Sequence, residues 1–161
     1  MAEEFTEEEL RERVWEDLTP YRLDEEGTWQ VINEAAGCAV TWVAPNGRAM
    51  GVWVSHAVID GEVWVTTTGN RSKTRAWNKD PRTVAIFGGP RGSVTVLGDV
   101  DMSDDATDRT RFLNALYDRG EGEKTEEGRA LFLKHMDSEG RVTGPIKAEK
   151  FITFDPFKLV R

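Results

Sequence analysis

The segment TTTGNRSKTRAW, Thr66 to Trp77, gathers hydroxyl, guanidinium and ammonium groups at the end of an apolar, strand-like run, EVWVTTT. Thr66, Thr67 and Thr68 close that run, and Arg71, Ser72 and Lys73 follow at once. Beyond them the chain has room for a short helix, roughly Ser72 to Lys79. It must stop near Asp80, because Pro81 disfavours helical geometry in the residue before it. A strand that hands its hydroxyls to a helix start presents unpaired backbone N–H groups and the positive end of a dipole to an anion. Arginine adds a planar fork for phosphate oxygens and lysine a mobile point charge. Together these groups suit a phosphate monoester. Residue types alone leave a second reading open, in which Arg71, Lys73, Arg75 and Lys79 are the solvated face of an exposed helix.

The rest of the chain gives that knot its context. With 161 residues and a net charge of −8, the sequence fits one domain, residues 1–161, with a core of its own. Its acidic balance excludes general affinity for nucleic acid or anionic membranes. A local cationic patch in such a field suits one small anionic ligand. A single cysteine, Cys38, precludes an internal disulfide framework. Two distant histidines, His56 and His135, do not make a structural zinc site. The acidic start, MAEEFTEEEL, is the reverse of a basic, apolar signal peptide. No apolar run approaches bilayer length, and a cytoplasmic location is expected.

The elements that must position the knot follow from periodicity. Residues 1–36 read as a helical segment packed on the remainder. Its first helix begins at Thr6, where Thr6 and Glu9 form a capping box, and it stops at Pro20. A second runs from Thr28 to Ala36 and ends at Gly37. From Cys38 the period becomes two: CAVTWVA, RAMGVWVSHAVI, a DG turn, EVWVTTT, then TVAIF, the loop GGPRG, SVTVLGDVDM, and a last strand in EKFITFDPFKLVR. Ser103 is placed to cap a further helix through Phe112, Leu113, Leu116 and Tyr117, and RALFLKHM reads as another. The sum is an α+β, mainly β, domain: a six-stranded antiparallel barrel with peripheral helices.

Gly47 to Phe87 resembles the flavin-binding split-barrel superfamily, the relatives of pyridoxamine 5′-phosphate oxidase that include F420-dependent reductases. The likeness lies in the order of the parts. A strand ends in threonines, an Arg/Ser/Lys cluster follows, and an apolar residue (Trp77) stands four after Lys73, before Asp80-Pro81 and another strand. The resemblance implies a six-stranded split barrel, a homodimer, and a cofactor in the groove between subunits. It also implies that Arg71, Ser72 and Lys73 hold the cofactor phosphate, with Thr66, Thr67 and Thr68 along the ribityl or phosphate path. Backbone groups of Val52, Trp53 and Val54 then edge the ring. Two departures are visible: Gly51 stands where the oxidases place a phosphate-binding arginine, and FDPFKLVR lacks their substrate-gripping ending. Vitamin B6 oxidation is accordingly not the expected activity.

The expected function is an FMN-dependent oxidoreductase that transfers hydride to or from a small organic substrate, with F420 as the alternative cofactor. The other class of reading is a non-catalytic binder of flavin, F420 or a tetrapyrrole such as haem, with His56 and His135 as the histidine ligand candidates. No catalytic nucleophile or metal set is assigned, for the sequence carries no nucleophile elbow, P-loop or metal-spaced histidine pair. Trp53 and Trp64 read as neighbours across one hairpin, either of which could flank a ring, and Trp77 as packing. Arg48, beside the PNG turn, is a further possible anion contact.

Overall fold

The computed structural model describes residues 18–160, so the helix expected from Thr6 lies outside the described residues. A 3-10 turn, Thr19–Tyr21, contains Pro20 and precedes α1 (Glu25–Glu34). Four strands follow, β1 (Cys38–Val43), β2 (Ala49–Val54), β3 (His56–Ile59) and β4 (Glu62–Thr68), then the short α2 (Ser72–Trp77). Strands β5 (Arg82–Gly89) and β6 (Gly92–Val100) lead to α3 (Ala106–Arg119) and α4 (Glu126–Met136). The long β7 (Arg141–Phe154) and a 3-10 turn at Pro156–Val160 complete the described chain.

All seven strands belong to one antiparallel sheet of order β2-β1-β5-β6-β7-β4-β3. Strands β2 and β3 sit at opposite edges, yet only Ser55 separates them in sequence. The sheet therefore curls until its edges meet at that residue. Six strands were expected because GVWVSHAVI reads as one run. In the fold Val54 pairs with Cys38 while His56 pairs with Val65, so the run divides between two neighbours. The same division corrects the placing of two tryptophans. Trp53 faces Ala39 across one edge hairpin and Trp64 faces Ala57 across the other.

Local chemistry explains the turns and boundaries. Asp60 and Gly61 have φ of 53° and 76°, as a two-residue hairpin turn of this hand requires. A bulge at Leu97/Gly98 bends β6 against β7. A Cβ on Gly98 would stand 2.2 Å from the Lys147 carbonyl oxygen, so only glycine fits there. Helix α1 starts before the expected Thr28, because the Asp24 carboxylate accepts from the Gly27 N–H at 2.8 Å and caps it. Helix α3 is capped by Asp105, not Ser103; the Ser103 hydroxyl oxygen instead accepts from the Asp105 N–H. The first half of β7 was not foreseen: the expected last strand began only at Glu149, and a proline such as Pro145 is rare inside a sheet. Pro145 nevertheless pairs with Trp64 inside the ladder.

The main core fills the curl with Val40, Val65, Ala85, Phe87, Val94, Val96 and Ile146, closed by Val31 and Ile32 of α1 and Trp77 of α2. A second cluster forms where Phe112 and Leu113 of α3 cover Ala57, Ile59 and Trp64. His56 lies between the layers, 1% exposed, with Phe87 edge-on at 4.9 Å. Its Nε2 is 2.8 Å from the Ile32 carbonyl oxygen and 3.0 Å from an Arg119 nitrogen, while Nδ1 is buried without a partner. Burial first, and Arg119 second, lower its pKa from 6.5 to about 4.

The folded state therefore holds His56 neutral and the unfolded chain protonates it sooner. The resulting stability is complete above pH ~6.5 and is lost as pH falls towards 4. About 3 kcal/mol is at stake at 1.36 kcal/mol per pKa unit. Urea melts of the wild type are expected to weaken across that window, and melts of His56→Gln to stay flat across it. Parallel pH profiles for the two proteins would contradict the assignment.

Candidate functional site

Where the end of β4 meets the start of α2, the curl leaves a cavity of about 390 Å³. Thr67 and Thr68 reach it from β4, and Arg71, Ser72 and Lys73 from the following turn and helix. Trp42 of β1 and Val52 of β2 form its apolar wall, and Arg141 enters from the first position of β7. The convergence follows from pairing. Thr68 stands opposite Arg141 in the β4–β7 ladder, and Trp77 of α2 donates its indole N–H to the Thr41 carbonyl oxygen at 3.2 Å, tying α2 to β1.

The turn that carries the cations is well braced. The Thr74 hydroxyl donates to the Thr68 carbonyl oxygen at 2.8 Å, and the Gly69 N–H to Gly140 at 2.8 Å. Arg75 is spent on the Asn70 carbonyl oxygen at 2.6 Å. Arg71 and Lys73 remain, and neither has an ion-pair partner among the described residues. Lys73 is half-buried, and desolvation and then Arg71 lower its pKa. Two like charges held together without a carboxylate are costly unless an anion joins them. Two of the lining residues carry a buried polar atom without a hydrogen-bond partner, Thr67 Oγ1 and Arg141 Nε. Native folds leave few such atoms unsatisfied. The donor-rich lining thus fits a phosphate group, and Lys73 is half-buried where a fully solvated helix face would leave it exposed.

Of the residues expected at the site, Val52, Thr67, Thr68, Arg71, Ser72 and Lys73 converge on one cavity. Thr66 supports it from beneath: its hydroxyl donates to the Val142 carbonyl oxygen at 2.9 Å and accepts from Arg141 at 3.2 Å. Trp53 and Val54 are not among the lining residues, and Trp53 is 59% exposed at the sheet edge. Arg48 lies outside as well, on the exposed turn before β2. Gly51 occupies β2 where an added Cβ would meet the Val40 carbonyl oxygen at 3.6 Å. That is ordinary contact, so packing does not forbid a side chain there.

Sequence reasoning missed Trp42 and Arg141. The strand pattern held Trp42, but nothing in it told which side of β1 faces the knot. Arg141 lay in a stretch to which no element was assigned. The helix supplied less than expected: with six residues, α2 adds little dipole, and side chains carry the site.

Several other candidates fall away. His56 is buried and engaged, and His135 is exposed on α4, so neither lines this cavity. Cys38 is buried, its thiol pushed up to about 12 by desolvation, which makes it a poor nucleophile. Among the described residues no group of three His, Cys, Asp or Glu is placed to hold a metal, and no helix is long and apolar enough to cross a membrane. The GGPRG loop is the β5–β6 hairpin turn.

Comparisons with protein-family models and with curated proteins found no match. Solved structures do match. The conserved hypothetical protein Rv2991 from Mycobacterium tuberculosis is 20% identical, with 91% of this chain and 94% of that one covered at a TM-score of 0.80. An F420 reductase is 24% identical over 81% of this chain and 98% of its own, at a TM-score of 0.57. A putative pyridoxamine 5′-phosphate oxidase from Listeria innocua is 15% identical over 80% and 96%, at a TM-score of 0.60. With its antiparallel sheet curled shut at Ser55 and its helices outside, the chain has the fold of the flavin-binding split-barrel superfamily.

Proposed function

We propose that this protein binds a phosphate-bearing flavin, FMN, in the cavity at the end of β4 and acts as an oxidoreductase on a small organic substrate. The observation that carries the proposal is the lining itself: cations without a carboxylate, beside hydroxyls of which one, on Thr67, is buried and unpartnered. Arg71 and Lys73 hold the phosphate by charge, and Ser72, Thr67 and Thr68 offer hydroxyls to its oxygens or to the polyol arm. Trp42 and Val52 give the ring an apolar wall. When bound, such a ring supplies the hydride chemistry. The chain's task is to fix the ring by its anionic end and to leave one face open.

F420 is the second reading, favoured by the likeness to an F420 reductase; its phosphate would use the same side chains. A homodimer accompanies either reading. Strand β2 is exposed along most of its length, and Val43, Trp53, Ile86, Phe151 and Ile152 are 39–59% exposed across the adjoining sheet. A second copy covering them would turn the open cavity into a groove.

The experiment is a visible spectrum of the purified protein with FMN, F420 and haem in turn, followed by dye or quinone reduction. A bound-flavin spectrum with turnover is expected. Binding without turnover of any acceptor would reduce the role to cofactor carriage, and binding of haem alone would overturn it.

A further inference from the structure

We propose that Arg141, supplied from β7, is a direct ligand of the phosphate. The inference rests on the reading of the cavity as a phosphate site and adds a residue to it from a different part of the chain. Arg141 stands beside Thr68 in the β4–β7 ladder, and both side chains line the cavity with Arg71 and Lys73. Its guanidinium is half-buried, and burial lowers its pKa, with Asp137 opposing. Its two terminal nitrogens donate to neutral oxygens only, Thr66 Oγ1 at 3.2 Å and Ser138 Oγ at 3.1 Å.

Those two contacts fix the fork without neutralising it. On the far side Asp104, Asp137 and Glu139 line an adjoining polar hollow, but none pairs with Arg141; Asp137 pairs with Arg109 at 3.2 Å. Nε remains buried and unpartnered. The contacts to Thr66 and Ser138 use two of the five N–H groups of a guanidinium, so an arginine held by neutral oxygens keeps donors for a ligand oxygen. Thr67, another lining residue, likewise has a buried hydroxyl without a partner.

The test is calorimetric titration of the wild type, Arg141→Gln and Arg141→Lys. The probes are FMN and riboflavin, and F420 and the deazaflavin lacking the phospholactyl arm. For whichever phosphorylated ligand binds, Arg141→Gln is expected to weaken binding about 10- to 100-fold, the range of a charge-assisted hydrogen bond. Affinity for the phosphate-free partner is expected to stay within about threefold. Arg141→Lys is expected to recover part of the loss. Equal weakening of both members of a pair would make Arg141 a structural brace and overturn the proposal. Unchanged binding of the phosphorylated ligand would overturn it while leaving the cavity reading intact. Failure of the wild type to bind either phosphorylated ligand would overturn both.

Discussion

Replacing Arg71 and Lys73 together by alanine is expected to lower cofactor affinity at least about 100-fold, because each hydrogen bond to a charged group is worth about 1.5–3 kcal/mol. The folded state is expected to tolerate the change. Neither side chain has an ion pair among the described residues, and burial first, then repulsion from Arg71, lower the pKa of Lys73. Removing both relieves that repulsion, so the melting temperature is expected to hold or rise slightly. The pairing of a large affinity loss with unchanged stability is diagnostic. An exposed, solvated helix face would give neither effect, and a structural role would give a loss of stability. Binding titrations and thermal melts on the same samples decide between them. Unchanged affinity in the double variant would remove the phosphate from this end of β4 even with the fold intact.

The second large effect is on the fold. Phe87 is fully buried on β5, against the main core on one side and edge-on to the His56 ring at 4.9 Å on the other. Phe87→Ala is expected to cost about 3–5 kcal/mol, the lost transfer energy plus the cavity left behind. Domains are stable by about 5–15 kcal/mol in total, so the variant keeps a modest remainder. Its melting temperature is expected to fall by about 10 °C or more. His56 adds a reason for a large value. It loses an aromatic neighbour, and water entering the cavity would reach its unpartnered Nδ1. A loss under about 1 kcal/mol would mean that β5 is not the centre of the core.

Much of this architecture was readable in the residues. The change from helical to alternating period at Cys38 marks the start of β1, the Asp60-Gly61 turn fixes the β3–β4 hairpin, and Pro81 sets the limit of α2. These are local signals, and local signals survive in the fold. Non-local pairing was not readable. Ser55 looks like one more residue of a strand, and only the partners of Val54 and His56 show that the sheet divides there. Arg141 is a stronger case: its role depends on standing opposite Thr68, a pairing no spacing rule can express. The strand that carries it contains Pro145, a residue type rare inside a sheet. The knot from Thr66 to Lys73 was legible because one turn of chain supplies it. Its other cation and the Trp42 part of its apolar wall were not, because β7 and β1 supply them.

The central claim is that this cavity recognises a phosphate on a flavin-type cofactor. Its most direct measurement is calorimetric titration of the wild-type protein with FMN and with riboflavin, and with F420 and its phosphate-free analogue, at one ionic strength. The account predicts that at least one phosphorylated ligand binds at least about 100-fold more tightly than its phosphate-free partner. Equal affinities within a pair would contradict it, because the Arg71–Lys73 cluster would then contribute nothing to recognition.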